Sequence, residues 1–257
     1  MSELIQVELK GQILSITLAR PDKKNALTVA MYRALTDAID RADSDPQIRV
    51  VHITGTADSF SSGNDLSDFL AASQSQQSGD NPAQCLLHRL NSFNKPIVAA
   101  VNGMAIGIGT TLLLHCDLVY AARSARFQLP FVDLGLVPEG GSSAILPAML
   151  GHRRAAELLL ACESLDATQA VDCGIVNRVC DDSELQAFSW QQAEKLAAKP
   201  PAAIQQAKAM LKHNPSKPLA QVIDDEIELF LKRLRSPEAA EAMAAFMERR
   251  KPDYSRF

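Results

Sequence analysis

Only three acids, Asp117, Asp133 and Glu139, lie between Ile97 and Ser143, and six of the chain's twelve glycines fall between Gly103 and Gly141. Asp117 follows Cys116 at an expected helix–strand junction and reads as structural, and so does Asp133. Glu139 differs from both. It stands between Pro138 and Gly140, where a carboxylate has no evident packing task and glycine lets the backbone come close to a ligand. A carboxylate so placed can carry protons as a general acid or base. Its other reading is a first-turn charge that interacts favourably with the dipole of the helix that follows.

A second small-residue segment, Phe60-Ser-Ser-Gly-Asn-Asp-Leu66, follows an expected strand ending at Thr54. Ser, Gly, Asn and Asp are the usual turn formers, so an ordinary turn accounts for the segment taken alone. A turn after one strand and a helix start after the next can also aim two free N–H groups at one point, which makes an oxyanion hole. Competing chemistries fail on spacing. A dinucleotide fingerprint from Gly107 would need glycine where Leu112 stands, and no Gly-Lys-Ser/Thr phosphate loop occurs. Ser142 and Ser143 lack the glycine two residues on that a nucleophile elbow needs, since Ala144 and Ile145 stand there. His52, His88, His115, His152 and His213 are dispersed without metal-ligand spacing.

The elements that must position these residues follow from periodicity. Leu4 to Leu18 alternates about Gly11 and reads as a strand hairpin. Thr28 can cap a helix in which Met31, Leu35, Ala38 and Ile39 share a face as far as about Asp43. Val50 to Thr54, Ile97 to Val101 and Asp117 to Ala122 read as strands, with helices at Gln84 to Phe93 and Ile108 to His115 between them. Ser73 to Asn81 is polar and aperiodic, and reads as a mobile loop that could act as a lid. From Asp182 onward four helical segments, Leu185 to Ala198, Ala202 to Lys212, Leu219 to Arg235 and Glu238 to Arg250, are separated by prolines. The expected division is a mixed β/α core over residues 1–195 that contains the site and a helical region over 196–257.

Composition narrows the class. At 257 residues and 47% hydrophobic, the chain can bury one large core. Its net charge of −4 comes with no dense Lys/Arg stripe, which argues against a nucleic-acid partner. Five cysteines without a C-x-x-C pair argue against a disulfide framework and a zinc site. The start of the chain lacks a signal-peptide pattern, and no apolar run approaches the ~18 residues of a membrane span. The expectation is a cytoplasmic protein with no membrane partner.

In chain order, Arg20-Pro-Asp-Lys-Lys-Asn-Ala-Leu27, Phe60 to Leu66, Lys95-Pro-Ile-Val-Ala-Ala-Val-Asn-Gly103, Gly107-Ile-Gly109, Cys116-Asp-Leu118, Ala125-Arg-Phe127, Leu134-Gly-Leu-Val-Pro138 and Ala170 to Val176 resemble the crotonase, or enoyl-CoA hydratase/isomerase, superfamily. The resemblance covers essentially the whole chain. It implies an α/β fold built as a spiral of ββα turns, with C-terminal helices that help to form a homotrimer or a dimer of trimers. It also implies an acyl-CoA thioester as substrate, no cofactor and no metal, and oxyanion donors at the N–H groups of Ser62 and Ile108. For CoA it points to Lys23, Lys24 and Ala26 near the nucleotide phosphates. Ser62, Gly63, Asn64, Asp65 and Leu66 would lie along the adenine and pantetheine.

A typical hydratase of this family uses two glutamates, and this chain has neither: Thr111 and Phe131 stand at those positions. In the branch that the chain resembles, the glutamate of Pro-Glu-Gly, here Glu139, is the proton shuttle of Δ3,Δ2-enoyl-CoA isomerases in fatty acid metabolism. One carboxylate is enough for that reaction, whereas hydration also needs a positioned water, and Phe131 would offer an apolar wall instead. Phe131, Leu136 and Val137 should raise the pKa of Glu139 by desolvation. The alternatives are hydration, or another crotonase-type reaction, and an acyl-CoA-binding protein without turnover.

Overall fold

The computed structural model describes residues 4–68, 81–212, 219–234, 236–255 and 257. Apart from Asn81, the polar tract expected as a lid lies outside the described residues, as does His213.

Strands β1 (Ile5–Lys10) and β2 (Ile13–Leu18) form the expected hairpin, with Ile5 opposite Leu18 and Lys10 opposite Ile13. Helix α1 (Val29–Ser44) then crosses to β3 (Val50–Gly55); the Thr28 side chain caps it by accepting from the Met31 N–H at 3.2 Å. The chain continues through β4 (Ser59–Ser61), α2 (Pro82–Ser92), β5 (Ile97–Val101), β6 (Met104–Ile106) and the single-turn helix α3 (Ile108–Thr111). A 3-10 turn, Leu112–His115, prolongs α3 before β7 (Leu118–Ala122) and β8 (Arg126–Gln128). After them come α4 (Ser142–Leu150), α5 (His152–Leu159), β9 (Leu165–Asp166), α6 (Ala167–Asp172) and β10 (Arg178–Cys180). The last helices are α7 (Leu185–Ala197), α8 (Pro201–Lys212), α9 (Leu219–Leu234) and α10 (Pro237–Met247).

The strands sort into two sheets, a six-stranded one in the order β1-β2-β3-β5-β7-β10 and a four-stranded one in the order β4-β6-β8-β9. Each of β3, β5 and β7 enters the large sheet, and its successor β4, β6 or β8 enters the small one, so each repeat is a strand, a second strand and a connection. This is the expected ββα spiral. From β2 to β10 the large sheet is parallel. Every residue of β3 and β5 is buried, as befits parallel strands covered on both faces. One face packs into the main core with α1 and α2; the other receives Leu185, Ala193 and Ala197 of α7. Because α7 packs on the sheet as far as Ala197, the expected boundary at residue 195 falls inside this helix. The strands of the small sheet span only two or three residues and their periodicity is too short to read. No helix among the described residues is long and apolar enough to cross a membrane.

Candidate active site

Strands β4 and β6 pair in parallel, so the segments that leave them run side by side. Ser61 leads into Ser62–Asp65, and Ile106 leads through Gly107 into α3. Two glycines allow the close approach. A Cβ on Gly109 would stand 2.7 Å from the Ser61 carbonyl oxygen, and Gly63, at φ +100, would place one 3.1 Å from the Ile106 carbonyl oxygen.

Leu27 decides which amides stay free. Its N–H donates to the Gly63 carbonyl at 2.8 Å and its carbonyl accepts from the Asp65 N–H at 2.9 Å, a parallel bridge centred on Asn64. In such a bridge the middle residue turns its own N–H to the opposite side. The Asn64 N–H has no hydrogen-bond partner among the described residues, and the same holds for the Ile108 N–H at the start of α3. The expected donor at Ser62 is corrected here: its N–H donates to the Lys24 carbonyl at 2.9 Å, and its hydroxyl lies 3.3 Å from the Lys23 carbonyl. An amide already paired to a backbone oxygen cannot also serve a ligand.

The segment around Leu27 is pinned by Asn25, Arg20 and Asp65 through contacts that the sequence does not show. Asn25, fully buried, accepts from the Arg20 N–H at 2.8 Å and donates to the carbonyls of Thr56 at 3.1 Å and Ser59 at 2.6 Å. Arg20 Nη1 donates to the Ala26 carbonyl at 3.0 Å and to Asp65 Oδ2 at 2.6 Å. Asp65 Oδ1 accepts from Ser67, through both its N–H and its hydroxyl, and from the Asp68 N–H. The Ser67 hydroxyl and then the Arg20 guanidinium hold the Asp65 carboxyl far below the usual range. Asp65, expected along CoA, therefore spends its side chain on an internal clip.

The other expected CoA contacts separate by exposure. Ala26 is buried, with its N–H on the Lys23 carbonyl at 3.0 Å. Lys23, Lys24, Asn64 and Leu66 are exposed. Lys24 Nζ pairs with Asp58 at 2.5 Å, and Lys23 makes no ion pair among the described residues. The Asn64 side chain accepts at 2.5 Å from the hydroxyl of Tyr32, a buried residue of α1.

Glu139 is half-buried, and its Oε1 accepts from Thr111 Oγ1 at 2.5 Å. Thr111 ends the helix that Ile108 begins, three residues and about 4.5 Å along the axis. Burial pushes the Glu139 carboxyl up, and the Thr111 hydrogen bond opposes the rise. Tyr32 is close enough for the Glu139 charge to raise its phenol, after the larger effect of burial. Of the expected trio, Leu136 is half-buried and packs against the main core. Val137 is 78% exposed, and Phe131, at 7%, is buried in the main core, where its carbonyl accepts from the N–H groups of Leu134 and Leu136. Leu87 of α2 lies against Gly140, so helices α1 and α2 supply part of the cover that was assigned to Val137.

The remaining acids behave as the sequence indicates. Asp117 Oδ2 accepts from Lys208 Nζ at 2.6 Å and from the Ile97 N–H at 2.7 Å, and Asp133 is exposed on a 3-10 turn. Among the described residues no group of three His, Cys, Asp or Glu side chains could hold a metal ion. The arrangement thus offers two unpaired amides on adjacent backbones and one half-buried carboxyl whose pKa is raised.

Known proteins resemble the chain over nearly its whole length. The family profile described as Enoyl-CoA hydratase/isomerase matches residues 8–256. The chain is 36% identical over 254 residues to 2,3-dehydroadipyl-CoA hydratase of Escherichia coli (strain K12), covering 99% of each protein. It is also 36% identical over 253 residues to enoyl-CoA delta isomerase 2 of Rattus norvegicus, which covers 97% of this chain and 64% of the rat protein. A solved structure from Magnetospirillum magneticum AMB-1, named as a candidate enoyl-CoA hydratase/carnithine racemase, superposes with a TM-score of 0.95 at 42% identity and covers 100% of both chains.

Proposed function

We propose, on the premise that the chain belongs to the enoyl-CoA hydratase/isomerase, or crotonase, family, that it is a Δ3,Δ2-enoyl-CoA isomerase. The observation that carries the reading is the lone carboxyl of Glu139, half-buried, raised in pKa and bonded through one oxygen only among the described residues. In the reaction Glu139 takes a proton from C2 of a 3-enoyl-CoA. The charge spreads into a dienolate whose thioester oxygen accepts from the Asn64 and Ile108 N–H groups, and the same carboxyl returns the proton at C4. Atoms and electrons balance without water, oxidant or cofactor. Removing one such donor costs ~10² to 10³ in rate in other enzymes.

Lys23 and Lys24, exposed beside this loop, are suited to the phosphates of CoA, and Leu66, 70% exposed, offers apolar surface to its pantetheine. Assembly as a homotrimer or a dimer of trimers belongs to the same reading; the exposed Leu211, Ile227 and Phe230 of α8 and α9 support it. Hydration is the second reading, favoured by the likeness to the Escherichia coli hydratase. Among the described residues it lacks a second acid beside Glu139: Thr111 bonds one carboxylate oxygen and Phe131 is buried in the core.

The test gives purified protein 3-enoyl-CoA and 2-enoyl-CoA in separate cuvettes and follows the absorbance of the conjugated thioester. Conjugation gained from the first is expected, with the second losing only what the reverse reaction returns as 3-enoyl-CoA, and Glu139→Gln should slow the gain by ~10² to 10⁴. Full activity in Glu139→Gln, or conversion of 2-enoyl-CoA to a 3-hydroxyacyl-CoA, would overturn the assignment. Binding of both thioesters with turnover of neither would leave an acyl-CoA-binding protein.

A further inference from the structure

The segment that delivers the Ile108 amide also reaches the loop that carries Glu139. Thr111 and His115, four residues apart across α3 and the 3-10 turn, touch two neighbouring points of that loop. The fully buried Thr111 donates from Oγ1 to Glu139 Oε1 at 2.5 Å. His115 Nε2 stands 2.9 Å from the Gly140 carbonyl oxygen. A carbonyl only accepts, so His115 must carry a proton on Nε2, and the neutral tautomer meets that need. Gly140, at φ +65, lies so close that a Cβ there would stand 2.8 Å from Thr111 Cβ. Glu139 Oε2 has no partner among the described residues.

We propose that Thr111 and His115 are the positioning residues of Glu139: Thr111 holds one carboxylate oxygen, His115 holds the adjoining backbone carbonyl, and Oε2 is left to exchange protons with the substrate. The inference rests on the isomerase reading only for what Oε2 protonates. Mechanically, it ties the base and one oxyanion donor to one continuous helical segment, Ile108–His115. A hydroxyl that donates to the carboxylate also favours its ionised form. The groups that face Glu139 are Thr111 from α3 and Tyr32 from α1, whose phenol responds to its charge. Burial together with Lys208 and Lys212 of α8 outweighs the Gly140 hydrogen bond and keeps His115 below its ordinary value, hence neutral at pH 7.

The experiment compares Thr111→Val with Thr111→Ser, and His115→Leu with His115→Gln. Two readouts are taken: kcat and KM for 3-enoyl-CoA across pH, and an infrared titration of the Glu139 carboxyl assigned by difference from Glu139→Gln. Thr111→Val should raise the carboxyl pKa, move the acid limb of kcat to higher pH and lower kcat about tenfold with KM within about twofold. Thr111→Ser should keep the parent pKa and rate. His115→Leu should lower kcat several-fold at unchanged KM, with His115→Gln restoring most of it through its amide N–H. An unmoved infrared titration in Thr111→Val, or equal losses in Thr111→Val and Thr111→Ser, overturns the proposal. If the parent protein conjugates nothing yet the infrared shift appears, the isomerase reading fails and the clamp stands.

Discussion

The loop from Ser62 to Asp65 is secured along its length: Ser62 to Lys24, Gly63 and Asp65 to Leu27, and the Asp65 carboxylate to Arg20, Ser67 and Asp68. The loop from Pro138 to Gly141 is held at fewer points, through Thr111 on the Glu139 carboxylate, His115 on the Gly140 carbonyl, Ser142 on the Glu139 carbonyl, and the Ala144 and Ile145 N–H groups on the Gly141 carbonyl. The contrast matches the two tasks. Donors that meet a developing oxyanion must already be in place, because amides that reorganise during the reaction lose their advantage. A carboxyl that takes a proton at C2 and returns it at C4 needs one free oxygen and a little freedom to move it.

Breaking the firmly held side should give the largest effects. In Gly109→Ala the new methyl would meet the Ser61 carbonyl oxygen at 2.7 Å, and only a backbone shift relieves that contact. The Ile108 and Asn64 amides would then part, and isomerase kcat should fall by ~10² or more, with circular dichroism close to the parent's. Retention of the parent rate would show that the two amides do not act together.

Asn25→Ala comes next and should appear in stability first. It strips hydrogen bonds from the Arg20 N–H and from the carbonyls of Thr56 and Ser59 in a fully buried setting. Leaving such groups unpaired should cost about 3 kcal/mol, read from denaturant unfolding. A loss under about 1 kcal/mol would mean that the loop has other supports.

The smallest effect sharpens the comparison on the lightly held side. Burial raises the Glu139 pKa in the folded chain above the value of about 4.3 expected when unfolded. The folded state therefore favours the neutral carboxyl, and this contribution to stability is full below the unfolded value and lost as pH rises through the folded one. Glu139→Gln is neutral throughout. It should melt at a higher temperature than the parent at pH 8, with the two converging toward pH 4. A lower melting temperature at pH 8 would mean that the ionised carboxylate is a net stabiliser.

Much of this was legible in the chain. The hairpin about Gly11, the Thr28 cap and the apolar runs of β3 and β5 follow from periodicity, because each element expresses a local rule. Glu139 stood out because nothing nearby explained it. Other features left no such signal. Tyr32 and Asn25 carry no local pattern that marks them as site supports, and Arg20 and Asp65 are 45 positions apart. The donor that the resemblance implied at Ser62 fails for a related reason: a matched motif locates a turn but does not tell which of its amides is already paired.

By itself the sequence determined the family, the hairpin, the longer strands and the C-terminal helices, and the presence of a single unexplained carboxylate among the glycines, since these depend on residue type and local period. Tertiary structure decided which atoms are available for chemistry. Leu27 reaches Asn64 from 37 residues away and leaves its N–H free, Lys24 occupies the N–H of Ser62, and Thr111 takes one oxygen of Glu139 and leaves the other. Hydrogen bonds between distant segments set these availabilities, and they exist only once both sheets have closed around the turn at Ile108.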